Sequence, residues 1–370
     1  MKFTVYTADI CDALRLAAKC ADPKSNTPIL AAVKIDASDY CLILTATNFN
    51  VAAQVITVAN IAEAGSVAVD AKFLVTALGK LTEDTVTFET VDNKLSLTSG
   101  GVVYKLATFD VNAFPSVKFD SVDGLSFNPV AFKYLLRHTI FAVDGNNDRA
   151  IFNTVNFRTQ RDGDDISITA AGTNTRRISI DKLSAVAGDA QFNVNVPIAA
   201  LKILLGELPK IFDGDRISID ADEKTFTAAY KNFRFKARLI EDDFPGFDKV
   251  LESPKDFSAS FNVAEFKAAL NCARVISADD SYKAVRLIFD GDRITVTANS
   301  DTRGSVTKSI DATAPVLEDE YGFNGDYIFD LLNAVDDERL TMYFGDKHDP
   351  ATFKASADSD FVHVVTPVRL

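Results

Sequence analysis

Between Phe257 and Ser277 the chain reads FSASFNVAEFKAALNCARVIS, and the period of its apolar positions changes part-way through. The stretch opens as an alternating strand. A short Asn-Val-Ala connection follows, and then Phe266, Ala269, Leu270, Ala273 and Ile276 fall at helical spacing, with Lys267 and Arg274 off that stripe. The same switch recurs from Met1 (MKFTVYTADICDALRLAAKC), Ser66, Leu125, Gln191 and Tyr321. These copies lie roughly 60–67 residues apart, a period that marks an internal repeat. In the first copy Asp9 is the expected N-cap, ahead of Ile10, Ala13, Leu14, Ala17 and Ala18.

Runs with strand alternation fill the spaces between the copies. AAVKIDA and CLILTATN flank Ser38-Asp39, and VTFETVD and KLSLTSG flank Asp92-Asn93, so each pair predicts a hairpin. Further strands are expected at Val51–Val58, Val102–Thr108, Ile151–Arg158, Asp165–Ala171 and from Arg177. RISIDA, KTFTAAY, FRFKARLI, VRLIFDG, RITVTANS and FVHVVT complete the set. FDGDRISID (Phe212–Asp220) and FDGDRITVT (Phe289–Thr297) both read as hairpin turns, because Asp-Gly between alternating runs is a strong turn signal. They lack the distal glutamate and alternate oxygen ligands of a calcium loop.

Two segments carry neither period: Phe109–Gly124, with Phe114-Pro115, and Glu241–Asp256, with Phe244-Pro245. As linkers they divide the chain into three similar domains, 1–124, 125–253 and 254–370. The expected class is α+β, with two strand–helix–strand halves per domain. Sheets on the outside and helices lining the inside would let such modules close a ring head to tail.

Composition refines this picture. A chain of 370 residues exceeds one ordinary core. No apolar run has membrane-spanning length, and the N-terminus lacks the layout of a signal peptide. Cys11, Cys20, Cys41 and Cys272 form no CxxC pair, which predicts free thiols, a cytoplasmic setting and no metal site. The net charge of −13 argues against gripping nucleic acid by bulk charge. Yet the predicted helices carry Arg15, Lys19, Lys72, Lys80, Lys133, Arg137, Lys202, Lys267 and Arg274, while acids gather in turns such as Asp162–Asp165 and Asp220–Glu223. A basic helical surface within an acidic protein is the specific reading; solvated helix faces are the plain one.

Nothing recruits catalytic chemistry. There is no phosphate-binding GxxxxGK[ST], no strand-borne GxGxxG and no GxSxG, and His138, His348 and His363 are scattered. No catalytic residue and no cofactor is expected. A structural ring or tube protein without DNA binding is the main alternative class, and an acid–base hydrolase the third.

MKFTV, NTPIL at Asn26–Leu30, FPGFDKVL at Phe244–Leu251, VRLIFDGDRITVTANS, FNGDYIFDLLNAV and the terminal PVRL together resemble the bacterial DNA polymerase III beta subunit family, the sliding clamps. The resemblance runs the length of the chain. It implies a non-enzymatic, head-to-tail homodimeric ring that encircles double-stranded DNA without reading sequence. Such a ring is placed by a clamp loader and tethers the replicative polymerase and other clamp-binding peptides.

By resemblance, DNA contacts fall on Lys24, Lys72, Asn146, Arg149, Asn324 and Tyr327; Asn324 also suits a helix N-cap. A partner-peptide cleft falls on Phe152, Thr173, Thr175, Arg176, Arg177, Ile178, Pro245, Lys249, Val250, Val364, Thr366, Pro367, Val368, Arg369 and Leu370. An apolar tail beside a Phe-Pro linker suits such a groove in its own right. The dimer joint falls on Tyr104 and Leu106 against Val275 and Ile276. Three places depart from the family's pattern. Asn174-Thr175-Arg176-Arg177 replaces a common Asp-Gly-His-Arg, Thr366 replaces a Met, and Ala150-Ile151 replaces an aromatic pair.

Overall fold

A computed structural model describes residues 1–209, 211, 214–252 and 255–370. The chain begins with β1 (Lys2–Tyr6) and α1 (Thr7–Ala18). It continues through β2 (Ala32–Ser38), β3 (Cys41–Thr47), β4 (Val51–Val58), β5 (Asn60–Glu63) and β6 (Gly65–Asp70) into α2 (Ala71–Leu78). Then come β7 (Thr85–Val91), β8 (Lys94–Ser99), β9 (Val102–Phe109), β10 (Leu125–Phe127) and α3 (Pro129–Ile140). β11 (Thr154–Asp162), β12 (Asp165–Thr173), β13 (Arg177–Ser184) and β14 (Asn193–Pro197) lead to α4 (Ile198–Glu207). β15 (Ile217–Ala221), β16 (Thr225–Tyr230), β17 (Phe233–Arg238) and the short α5 (Asp248–Leu251) precede β18 (Phe257–Asn262) and α6 (Val263–Ser277). The chain closes with β19 (Ala284–Asp290), β20 (Arg293–Ser300), β21 (Gly304–Thr313), β22 (Tyr321–Asn324), α7 (Gly325–Ala334), β23 (Arg339–Phe344), β24 (Ala351–Lys354) and β25 (Val362–Val365).

All six strand-to-helix repeats are present, as β1–α1, β6–α2, β10–α3, β14–α4, β18–α6 and β22–α7. The class is α+β. In five of the six the helix follows the last strand residue directly, and only Asn128 stands between β10 and α3. Asn262 accepts from the Glu265 N–H (3.1 Å), Asp70 from Phe73 (2.8 Å) and Asn324 from Asp326 (2.9 Å). The Asn-Val-Ala connection expected after β18 is therefore a cap followed at once by helix. The cap of α1 is Tyr6 rather than Asp9, and its side chain makes no capping bond.

Residues 1–130, 186–190 and 206–239 form one compact unit, and residues 131–185, 191–205 and 240–370 a second. The first holds a continuous antiparallel sheet in the order β10-β15-β16-β17-β4-β3-β2-β6-β9-β8-β7-β1-β5. The second holds β14-β11-β12-β13-β25-β24-β23-β18-β21-β20-β19-β22. Phenylalanine fills the cores: Phe3 stacks on Phe88 at 4.7 Å in the first, and Phe289 on Phe344 at 4.7 Å in the second. The chain has 28 Phe and no Trp, so these rings supply the largest buried volumes.

Some expectations fail locally. Ile151 and Phe152 lie in a single 3₁₀ turn (Ala150–Asn153) ahead of β11, not in the strand. Asp290–Arg293 closes the β19–β20 hairpin as expected. Gly214 does not close one, because β15 is preceded by α4 rather than by a strand. Phe212 and Asp213 of that turn, and Ser253 and Pro254 of the second linker and domain boundary, lie outside the described residues. The strands β5, β21, β23 and β24 and the helix α5 were not foreseen. The four cysteines are free thiols. Among the described residues no helix is long and apolar enough to cross a membrane.

Candidate functional site

The site is built on the turn between β12 and β13. Thr173 Oγ1 donates to the Arg177 carbonyl (2.7 Å) and accepts from the Thr175 N–H (3.0 Å). Asn174 Oδ1 accepts from the N–H groups of Arg176 and Arg177, both at 3.1 Å. This frame holds Thr175 at φ 75°, a left-handed conformation that a β-branched residue rarely adopts. The turn from β3 to β4 repeats it bond for bond. Thr47 Oγ1 donates to Val51 O (2.9 Å), Asn48 Oδ1 accepts from Asn50 and Val51, and Phe49 sits at φ 70°. The repeated Thr-Asn at the end of two strands is the sequence signal for this geometry.

Beside the turn lies a cavity of ≈ 230 Å³. Ten of the residues expected in the cleft line it: Phe152, Thr173, Thr175, Arg176, Arg177, Ile178, Pro245, Val250, Val364 and Thr366. Gly246 and Phe247 line it too, and their place in FPGF could have shown them. Phe244, Phe247, Val250 and Leu251 pack on Ala171, Ile178, Ile180 and Val364, so the linker forms a wall over the joined strands β13 and β25. The result is an apolar trough with backbone and guanidinium groups at its edge, a form suited to a short apolar peptide.

Lys249 and the tail are not part of that lining. Thr366 binds the Arg176 carbonyl through both its N–H and its Oγ1, each at 2.9 Å, and is the last tail residue at the cleft. Pro367, Val368, Arg369 and Leu370 line a separate cavity of ≈ 870 Å³ with Glu318–Glu320, Gly322, Lys347 and His348. The tail is drawn there because the Val368 N–H donates to the Gly322 carbonyl (2.9 Å). It also needs a residue without a side chain beneath it: a Cβ on Gly322 would lie 2.6 Å from Val368 O and 2.7 Å from Leu370 Cγ. Gly322→Ala is expected to lift the tail, at a cost of about 0.5–1.5 kcal/mol for the lost hydrogen bond. Faster exchange of the Val368 amide, with β22 still protected, would show it; unchanged exchange would refute it.

Arg177 ties the turn to α7. Its guanidinium donates to Asp330 Oδ2 (2.8 Å) and to Phe141 O (2.6 Å), and lies 4.5 Å from the Tyr327 ring centroid and 5.6 Å from that of Phe141. Tyr327 is thus half-buried against a cleft residue, and the Asn324 side-chain oxygen is occupied as the α7 cap.

His363 on β25 is fully buried, in contact with the Phe141 and Phe353 rings, and neither ring nitrogen has a hydrogen-bond partner. Burial, with Arg177 adding to it, holds its imidazole well below the usual range. The folded state therefore refuses a proton that the unfolded chain takes up below about pH 6.5. The stabilising effect is complete above that pH. As pH falls further, stability drops by about 1.4 kcal/mol per pH unit until the folded-state pKa is reached. Urea midpoints at pH 7 and 5.5 should separate in the native chain, and His363→Leu should narrow the gap; equal gaps would refute this origin.

The residues expected at DNA are dispersed along the chain. Lys24 and Lys72 are exposed in the first unit, and Asn146 and Arg149 in the second, where Arg149 lies 4.9 Å over the Phe152 ring. The basic helix residues divide into two groups. Arg15 pairs with Asp12, Lys19 with Glu207, Arg137 with Asp336 and Arg274 with Asp326. Arg274 also stacks 4.0 Å over Phe329, so the face of α6 that carried Lys267 and Arg274 packs against α7 rather than standing free. Lys72, Lys80 and Lys202 remain exposed. Tyr104 and Leu106 stand on β9, which among the described residues has only β8 beside it from Val102 to Ala107. Val275 is 63% exposed at the end of α6, whereas Ile276 packs on the core of its own unit.

Models of the N-terminal, central and C-terminal domains of the DNA polymerase III beta subunit match residues 1–118, 127–246 and 249–369. The chain belongs to the DNA polymerase III beta subunit family. Among curated members, the beta sliding clamp of Staphylococcus aureus is 24% identical over 382 residues, covering 100% of this chain and 99% of that one. That of Streptococcus pneumoniae is 25% identical, covering 99% of each. Solved beta subunits share the fold. The sliding clamp of Bacillus subtilis superposes with a TM-score of 0.92 at 22% identity, over 100% of this chain and 99% of that one. The Pseudomonas aeruginosa sliding clamp bound to griselimycin gives 0.92 at 22%, with full coverage of both.

Proposed function

We propose that the chain is a DNA sliding clamp, a non-catalytic processivity factor that encircles duplex DNA and tethers the replicative polymerase and other replication and repair proteins. The observation that carries the reading is the full-length, in-order match to all three domains of the beta subunit family. In this reading domains 1–124, 125–253 and 254–370 join head to tail with a second copy, a clamp loader opens the ring, and the protein works in the cytoplasm. The cavity beside Thr173–Arg177 receives the partners' peptides, and Lys24, Lys72, Asn146, Arg149, Asn324 and Tyr327 face DNA.

Physical arguments support the ring and its hold on DNA. Among the described residues β9 is open along Val102–Ala107 and β21 pairs only with β20 from Gly304 to Asp311, so each leaves an unpaired edge. Pairing edges across the joint of a dimer would remove both liabilities. Enclosure retains DNA without tight binding, so a few free lysines in a chain of net charge −13 are enough: they attract phosphates while the outside repels them. Contacts to phosphates alone permit travel over any sequence.

The test is retention on nicked circular DNA after loading, followed by release when the circle is cut. Loss of retention on linearisation is the expected result. Open filaments without DNA retention would instead favour the structural tube.

A further inference from the structure

The cleft is apolar, but its rim is cationic. Arg149, Arg158, Arg176 and Lys249 are all exposed, and none has an ion-pair partner among the described residues. Each is tied to the lining. Arg176 is part of it, Arg149 lies 4.9 Å over the Phe152 ring and Arg158 5.8 Å over the Phe247 ring. Lys249 stands in the short helix between the lining residues Phe247 and Val250. A chain with 52 acidic and 39 basic residues has thus left four cations unpaired around one small apolar cavity.

Two of these guanidiniums are held by aromatic faces rather than by carboxylates. That contact fixes their position while leaving their charge unneutralised. The Arg176 guanidinium stays charged at every physiological pH. Asp242 and Asp243 border the polar cavity of ≈ 190 Å³ beyond Pro245–Phe247, together with Arg158. Asp330 is occupied by Arg177 beneath the cleft. Among the described residues no carboxylate lines the cleft itself.

We propose that this cleft selects peptides whose apolar anchors are flanked by Asp or Glu side chains, with Arg176 as the principal specificity-determining residue. The inference rests on the reading of the cavity as a peptide site. The flanking carboxylates meet exposed cations at the rim, so the interaction acts on encounter rate and partner choice and weakens with salt. A phosphate backbone would suit Arg149 alone. It does not suit Arg176, which shares its cavity with Ile178, Val250 and Val364.

The experiment uses the full chain and three labelled synthetic peptides with the same Leu and Phe anchors, flanked by Asp/Glu, by Ser or by Lys. A labelled single-stranded oligonucleotide is measured alongside. Fluorescence anisotropy at low and high salt should show the acidic peptide binding about tenfold tighter than the Ser peptide at low salt. High salt should erase the advantage. Arg176→Gln should remove most of it, and Arg176→Glu should transfer it to the Lys peptide. Equal affinity for all three peptides, with binding intact, overturns the charge selection and leaves the cleft standing. Binding of none overturns the cleft reading and the inference with it. If Arg176→Gln and Arg149→Gln weaken only the oligonucleotide, the rim serves nucleic acid and the proposal is wrong.

Discussion

Replacing Arg177 by Ala should cost the second unit about 3 kcal/mol, the upper range for losing a hydrogen bond to a charged group. Asp330 keeps some exposure, so its loss of a partner is softened by water. The other losses are not softened. The Phe141 carbonyl loses its donor at 2.6 Å, and the Tyr327 and Phe141 rings lose the guanidinium they face. Arg177→Lys should recover little, because an ammonium cannot reproduce two directed bonds and a stacked plane together. The effect should concentrate where Arg177 joins elements: hydrogen exchange should speed up in β13, β25 and α7 and change little in β15–β17. Peptide binding in the cleft should fall in parallel, since Arg177 anchors the turn that shapes it. Native protection of β13 in Arg177→Ala would show that the Thr173–Asn174 frame suffices without the arginine.

The frame and the arginine differ in how legible they were. Local features could be read directly. Six strand-to-helix switches were visible because a change of period needs only neighbouring residues, and the hairpins at Asp39 and Asp92-Asn93 were visible because their turns need positive φ. β21 was not, because its residues are largely exposed and Lys308 interrupts the inward-facing series Val306, Ile310 and Ala312. Asp9 resembled a cap, but the helix starts at Thr7, directly after the last residue of β1, and Tyr6 caps it without a side-chain bond. The tail was misplaced for a non-local reason. Its path depends on Gly322, which precedes Val368 by 46 residues and is only a strand residue in sequence. The basic face of α6 was misread in the same way, since Phe329 and Asp326, which engage Arg274, come from α7. Sequence reports which residues an element turns inward; it does not report which second element covers what remains.

That distinction predicts a sharp contrast within α6. Phe266→Ala should destabilise its unit by about 3–5 kcal/mol, the usual cost of removing a buried ring with little room to relax. Phe266 is fully buried and lies 4.4 Å from Phe261 at 60°, so the void opens against β18 and against the start of its own helix. Asn262 still caps the helix, and Ala269, Leu270 and Ala273 still face inward, so helix content should persist while the packing of α6 on β20 and β21 loosens. Lys267→Ala, one position along, should change stability by no more than about 0.5 kcal/mol, because it removes only a distant contact with the Phe329 ring at 5.9 Å. The end of α6 carries Val275, so Phe266→Ala should also weaken the proposed dimer, while Lys267→Ala should not. Urea unfolding and sedimentation of the two variants decide the point. If Lys267→Ala proved as costly as Phe266→Ala, the contact with α7, and not the buried stripe, would be what holds this repeat in place.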